Sequence, residues 1–396
     1  MTIRAHGKTP SGNAASHDPK DAHETTPAQA FAAPAPRAGI TGALLRWYAA
    51  EKRDLPWRAT RDPYAIWLSE VMLQQTRVDT VRPYYERFVA TYPTVFSLAE
   101  APLERVLADW SGLGYYRRAR MLHEGARQIV REFGGKLPPE VEQLRRIAGI
   151  GPYTAGAVAS IAFDVRAPLV DGNVARVLSR LFGVEDDVSK GPGRARIWAL
   201  AASLLPERQS GDFNQALMEL GATLCSPEAP RCERCPVRAE CVAHAGGRPE
   251  RLPKMAPKAK PRAWPRAALV AMLGENRLLL ARRKPDLVFG GLWEPPSLDA
   301  EDPASDGARL AALVGVKVSA PEPMGEVTHV LTHRRMTIRV YGAQILAARG
   351  AVVRGASLGD EYDAIEMVDR SAAMARGMST LARKVLRIAG VEVGAK

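Results

Sequence analysis

Val141-Glu142-Gln143-Leu144-Arg145-Arg146-Ile147-Ala148-Gly149-Ile150-Gly151-Pro152-Tyr153-Thr154-Ala155-Gly156-Ala157-Val158-Ala159-Ser160-Ile161-Ala162-Phe163 is the stretch that decides the fold. Val141, Leu144 and Ile147 recur every third residue, so 140–148 reads as a short helix. Gly149-Ile150-Gly151 interrupts it. Pro152 suits the first position of a new helix, because that position needs no N–H. The second helix runs to Phe163. Two helices joined by a Gly-x-Gly turn leave free N–H groups at a helix N-terminus, where a phosphate can bind. On its own the turn is a weak signal, since many helix pairs use glycine.

Downstream lie all four cysteines of the chain, spaced Cys225-x6-Cys232-x2-Cys235-x5-Cys241. A secreted disulfide protein would spread its cysteines along the chain. Four thiols in one window suit a single metal site, either tetrahedral zinc or a cubane iron–sulfur cluster. Zinc modules present two separated C-x2-C pairs. Here there is one pair with unequal flanking gaps, which favours a cluster held by one looping segment.

The chain has 396 residues and a net charge of +12. At ~150 residues per domain, two or three domains are expected. The basic excess admits a polyanionic partner such as nucleic acid, or merely an arginine-rich composition. No stretch approaches the ~20 apolar residues of a membrane span, and no targeting segment stands out. The expectation is a cytoplasmic protein with no membrane partner. Residues 1–39, rich in Ala and Pro, read as a disordered tail that takes up His6, His17 and His23. Residues 40–247 carry helical periodicity. Leu44, Leu45 and Tyr48 share a face, and Tyr115 to Phe133 reads as an amphipathic helix stopped at Gly134-Gly135. Residues 248–265 read as an extended basic linker, with Arg248, Arg251, Lys254, Lys258, Lys260 and Arg262, followed by Arg266. Residues 266–392 read as an α+β domain. A hairpin turns at Gly274–Arg277, Met336 to Val340 alternates as a strand, and Leu381, Val385 and Ile388 mark a helix before Gly390.

The cysteine spacing resembles that of the endonuclease III-like DNA glycosylases, where it holds one [4Fe–4S] cluster per chain. The glycine turn, at the usual distance upstream, resembles their helix-hairpin-helix motif. Within that superfamily, Ser69-Glu70-Val71-Met72-Leu73-Gln74-Gln75-Thr76 and Gly112-Leu113-Gly114-Tyr115-Tyr116-Arg117 are similar to one family, the adenine DNA glycosylases (MutY). The resemblance covers about residues 40–245, with a fainter counterpart beyond. It implies a multidomain chain, with an all-α glycosylase domain and a C-terminal Nudix-like domain. It implies excision of adenine mispaired with 8-oxoguanine or guanine in double-stranded DNA, by a monomer acting in base excision repair.

Residue roles follow from the same resemblance. Asp171, in Leu169-Val170-Asp171-Gly172-Asn173-Val174, reads by itself as a helix N-cap, but the matching family residue is catalytic. Glu70 matches the general acid. Tyr153 and Asn173 would support the two carboxylates. Arg58 and Glu219 would border the extruded adenine. Gln75 and Tyr115 would fill or wedge the emptied stack, and Gly149 and Gly151 would meet the DNA backbone. Cys225, Cys232, Cys235 and Cys241 would ligate the cluster.

Chemistry explains the pair of acids. Adenine leaves deoxyribose poorly unless its ring is protonated, so an acid must hold a proton near neutral pH. A free glutamate is only about 0.2% protonated at pH 7. Desolvation that raises its pKa to ~6.5 makes roughly a quarter protonated. The second carboxylate, ionised, can stabilise the cationic sugar or trap it, as paired carboxylates do in glycosidases.

Gly290-Gly291-Leu292-Trp293-Glu294-Pro295-Pro296 resembles the start of a Nudix domain, but the helix expected next, Gly307–Leu313, lacks the paired glutamates of a hydrolase. In adenine glycosylases this domain recognises 8-oxoguanine through Phe-Ser-His. Here the motif reads Leu331-Thr332-His333, which keeps a hydroxyl and a ring donor but exchanges an aromatic surface for leucine. A glycosylase with lyase activity needs an amine, which the lyase branch places where Tyr153 stands. No lysine lies between Lys136 and Lys190. A non-catalytic DNA-binding module would not need both Glu70 and Asp171.

Overall fold

The computed structural model describes residues 38–256, 259–346 and 360–392. The expected tail, with its three histidines, lies outside the described residues except for 38 and 39. Those two already belong to the first helix.

Twelve helices precede the sheet among the described residues: α1 Ala38–Glu51, α2 Pro63–Leu73, α3 Val78–Thr91, α4 Val95–Glu100, α5 Leu103–Asp109, α6 Arg117–Phe133, α7 Val141–Leu144, α8 Pro152–Phe163, α9 Gly172–Phe182, α10 Gly191–Leu204, α11 Ser210–Thr223 and α12 Val242–Ala245. They enclose one core around Trp67, Trp110, Phe88 and Phe213, all essentially inaccessible. α2 and α8 are apolar all round, so they run through the middle, as such helices must. The helix expected over 140–148 ends at Leu144. The chain then tightens into turns, with Arg146 N–H donating to the Gln143 carbonyl and Ile147 N–H to that of Leu144. Ile147 keeps its place in the core while the backbone swings toward Gly149, whose φ of +80° few other residues tolerate.

The C-terminal region is a mixed seven-stranded sheet. Its strands are β1 Arg262–Leu273, β2 Arg277–Arg283, β3 Trp293–Glu294, β4 Ser297–Asp299, β5 Glu322–Val330, β6 Arg334–Gln344 and β7 Tyr362–Asp369. The main order is β3-β2-β1-β6-β5, with β1 and β6 parallel. Helices α13 Pro303–Leu313, α14 Arg370–Ala375 and α15 Thr380–Ile388 complete it. Alternation along β1 sends Ala268 and Val270 to a core beneath α15, and Ala267, Leu269 and Ala271 to a core beneath α13. The expected hairpin is present, with Met272 opposite Leu278.

The basic segment corrects the sequence reading at its end. Arg262 to Pro265 already pair with Arg334 to Thr337, so the strand starts within the expected linker. Arg266, counted with the solvated cations, is buried. It bonds Asp299 at 2.8 Å and Glu361 at 2.5 Å. Strand alternation turns it inward, and the acids that meet it are distant in sequence. Lys258 lies outside the described residues.

The two regions dock. The Glu104 carboxylate receives Trp293 Nε1 at 2.7 Å and Arg376 Nη1 at 2.8 Å. Ser111 Oγ and Tyr116 OH both donate to the Met378 carbonyl, at 2.6 and 3.0 Å. Leu292, from the sheet region, packs into the helical core.

Candidate active site

A cleft of about 1050 Å³ opens between α2, the turn before α8, the start of α9 and α11. Glu70 reaches it from the last turns of α2, a helix begun by the Asp62 cap and Pro63. The Glu70 side chain is buried, and Tyr153 OH donates to its Oε2 at 2.5 Å. Burial pushes its carboxyl from an ordinary 4.5 up to about 7. The Tyr153 bond opposes that shift and the nearby Asp171 carboxylate adds to it. Glu70 therefore keeps its proton to a higher pH than an exposed glutamate does.

Asp171 caps α9. Its Oδ1 accepts from Val174 N–H at 2.7 Å, and its Oδ2 accepts from Asn173 Nδ2 at 2.9 Å. It is the helix cap that its sequence context suggests, and it also lines the cleft. Burial raises its pKa, against the bonds from Val174 and Asn173 that favour the charged form. Those donors and the helix N-terminus favour a carboxylate there. Asn173 is held in turn. Its Oδ1 accepts from Arg176 Nη2 at 2.8 Å, and the same guanidinium reaches the carbonyls of Gly221 and Cys225, each at 2.8 Å.

Arg58, Gln75, Gly149, Gly151 and Glu219 also line this cleft. A side-chain carbon at Gly151 would meet nothing within 4 Å, so the turn faces open space. Glu219 is 1% exposed. Arg58 bonds it at 2.8 Å, while Arg53 adds two side-chain bonds, at 2.7 and 2.8 Å, and a backbone N–H. Burial alone would raise the Glu219 carboxyl, but the two arginines bring it down to about 2. Tyr115 is outside the cleft lining, nearly half exposed in the turn before α6. Gln75 and Tyr115 are non-glycine residues in the left-handed region, with φ of +57° and +50°. Thr332 and His333 are not near these groups in sequence or element. They form the exposed turn between β5 and β6.

The four cysteines line a second pocket of about 30 Å³, rimmed by Arg180, Arg231 and Arg238. Arg180 Nη1 lies 3.3 Å from Cys225 Sγ. Among the described residues, no three Cys, His, Asp or Glu side chains are grouped so as to hold a metal ion as they stand.

Sequence reading missed Arg53, Arg118 and Arg176. An arginine on an amphipathic helix reads as solvated, so Arg118 gave no signal. Arg176 did carry one, because it stands three residues after Asn173 on the same helical face.

Comparison with known proteins agrees with this architecture. The HhH-GPD superfamily base excision DNA repair family matches residues 68–202, and the NUDIX domain family matches 267–387. The adenine DNA glycosylase of Rattus norvegicus is 40% identical over 356 residues, covering 75% of this chain and 69% of that protein. That of Homo sapiens is 40% identical over 362 residues, covering 76% and 66%. That of Schizosaccharomyces pombe is 42% identical over 221 residues, covering 51% and 48%. With a helical hairpin domain, a Nudix-like sheet and, over 75% of its length, 40% identity to a relative, the chain belongs to the adenine DNA glycosylase family, DNA-binding enzymes of base excision repair.

Proposed function

We propose that the protein hydrolyses the N-glycosidic bond of adenine mispaired with 8-oxoguanine or guanine in duplex DNA, as a monofunctional enzyme. One observation carries this reading. A buried glutamate titrating near 7 and a helix-capping aspartate share one cleft with a glycine turn open to solvent. Glu70, protonated, delivers a proton to the extruded base, and its conjugate base then takes one from the attacking water. Asp171 faces the sugar as positive charge develops there. Tyr153 holds Glu70, and Asn173 holds Asp171. A tyrosine at 153 supplies no amine, so no imine forms and the strand is left intact at the abasic site.

The remaining assignments extend the same reading. Residues 40–247 perform the chemistry and 266–392 recognise the lesion, joined through 248–265. Arg58 and Glu219 border the adenine pocket. Gln75 and Tyr115 enter the duplex, and Gly149 and Gly151 meet its backbone. Thr332 and His333 supply hydrogen-bonding groups to 8-oxoguanine. Among the described residues, α13 offers Asp306, already paired with Arg309 and Arg339, and no glutamates, which supports recognition over hydrolysis for the sheet region.

The cysteine loop holds one [4Fe–4S] cluster. The donor set fits: four thiols surround one pocket, and arginines on its rim offset the charge that thiolate ligation brings. The cluster secures the loop and leaves the reaction to the carboxylates. The protein works as a monomer in the cytoplasm, at the nucleoid if its source is bacterial.

The test is incubation with duplexes containing adenine opposite 8-oxoguanine, guanine or thymine. Adenine release from the first two with no strand cleavage is expected. Intact adenine in all three, or borohydride trapping at a lyase's efficiency, overturns the reading.

A further inference from the structure

The Arg118 guanidinium holds two loops at once. It lies on the first turn of α6, half-buried, 5.4 and 5.3 Å from the ring centroids of Trp110 and Tyr115. On one side it donates to the carbonyls of Val71, Met72 and Gln74, at 2.9, 2.8 and 2.5 Å, and to Thr76 Oγ1 at 3.0 Å. These are carbonyls that the end of α2 leaves without helical partners. On the other side it donates to the carbonyl of Gly114 at 3.2 Å, with a longer contact of 3.4 Å to that of Leu113. Gln75 lies inside the first set of contacts and Tyr115 directly follows the second.

Both of those residues have left-handed backbones without being glycine. Such a placement is strained and persists only where the surroundings over-determine it. Here the same cation over-determines both. No carboxylate raises the Arg118 pKa; burial lowers it to about 10, so it remains charged at neutral pH. The negative end of the α2 dipole offsets the missing counterion. A lysine cannot reproduce the arrangement, because its ammonium is a point donor while the planar fork reaches two loops in fixed directions.

We propose that Arg118 is a positioning residue for base extrusion: it sets Gln75 and Tyr115 at a fixed separation so that both enter the duplex together. This rests on the reading of the protein as a base-extruding glycosylase. Arg118 also caps the helix that carries Glu70, so the rival account is that it acts on the acid itself. A third account is that it only stabilises the fold. The three predict different readouts.

The test uses the full chain and duplexes with adenine opposite 8-oxoguanine, with 2-aminopurine stacked beside the adenine. Extrusion is read as 2-aminopurine emission in a Glu70→Gln background, where the base stays attached. Chemistry is read as single-turnover release with Glu70 intact, across pH. Arg118→Ala and Arg118→Lys are both expected to lower release about 10- to 100-fold, as loss of hydrogen bonds from a charged group would. Both are expected to suppress the emission rise and leave the alkaline limb of the pH profile in place. Adding either to Gln75→Ala with Tyr115→Ala should cost under about threefold more, because the clamp has nothing left to position.

A normal emission rise in Arg118→Lys overturns the proposal. So does a displaced alkaline limb, which assigns Arg118 to Glu70. Full additivity with the Gln75 and Tyr115 changes, alongside a lowered melting temperature, assigns it to stability. Should Arg118→Ala fail to fold, Arg118→Lys carries the test alone. A wild-type protein that releases no adenine breaks the underlying reading, and the inference with it.

Discussion

Two sets of buried acids in this chain behave in opposite ways. Glu70 faces a tyrosine hydroxyl and another carboxylate, and burial drives its pKa up to about 7. Glu361 of the sheet region is also partly buried, but Arg266 at 2.5 Å outweighs burial and holds its carboxyl below the ordinary 4.5. Arg283 adds a contact at 3.3 Å, and its bond to Glu294, at 2.8 Å, extends the same ionic network. Glu219, beside Glu70 in the same cleft, follows the Glu361 pattern because of Arg53 and Arg58. Burial pushes each of these carboxyls up, and a bonded arginine decides whether the shift survives. Glu70 stays raised because Arg58 bonds Glu219 and acts on Glu70 only at longer range.

The largest test removes the proton donor. Glu70→Gln should still bind mispaired DNA, yet lose roughly 10²–10⁴-fold in single-turnover excision. Near-normal excision would make Glu70 an ordinary buried residue. Arg266→Met attacks the opposite region. It removes one partner each from Glu361 and Asp299, which keep Arg283 and Trp264, and should cost about 1.5–3 kcal/mol of unfolding free energy, read by denaturant titration. Both acids have lowered pKa values in the folded chain. Their contribution is thus present above the unfolded values and lost as pH falls through the folded ones. The deficit of Arg266→Met should shrink below about pH 4; a constant deficit would show that packing, not charge, is lost.

Smaller effects sharpen the comparison. Thr332→Ala with His333→Ala should lower the preference for 8-oxoguanine over guanine by about tenfold, or ~1.4 kcal/mol, through a few hydrogen bonds. Excision opposite guanine should be unchanged. Equal loss on both mispairs would deny the β5–β6 turn a recognition role. Point changes are preferable to ending the chain near Arg248. Truncation would also strip Glu104, Ser111 and Tyr116 of their partners in the sheet region.

The smallest expected effect is a pH shift. Protonated Glu70 is the active form, so excision should fall as pH rises through about 7. Tyr153→Phe removes a bond that favours the ionised form. The alkaline limb should then move up by about half to one pH unit, worth ~0.7–1.4 kcal/mol. A downward move would mean that Tyr153 stabilises the protonated acid instead.

Much of this was legible in the chain alone. Motifs with local cause read correctly: the Asp171 cap, the Gly149–Gly151 turn, the end of α6 at Gly134, the β1–β2 hairpin. Each rests on contacts within a few residues. The cations were misread for the same reason. Arg266 looked like linker charge until strand pairing turned it inward. Arg53, 166 positions from Glu219, carried no signal at all.

Family, two structural regions, and the residue types that stand where acids and thiols are needed are all legible along the chain. Backbone capping, glycine turns and hydrophobic period are local, so they survive in one dimension. How each acid is charged depends on the closed fold. The fold set Tyr153 against Glu70 across 83 positions and kept Arg58 on Glu219 instead. It also brought the loops of Gln75 and Tyr115 onto one guanidinium. Electrostatic fields act through space and fall with distance and solvent, so they exist only once the chain has closed on itself.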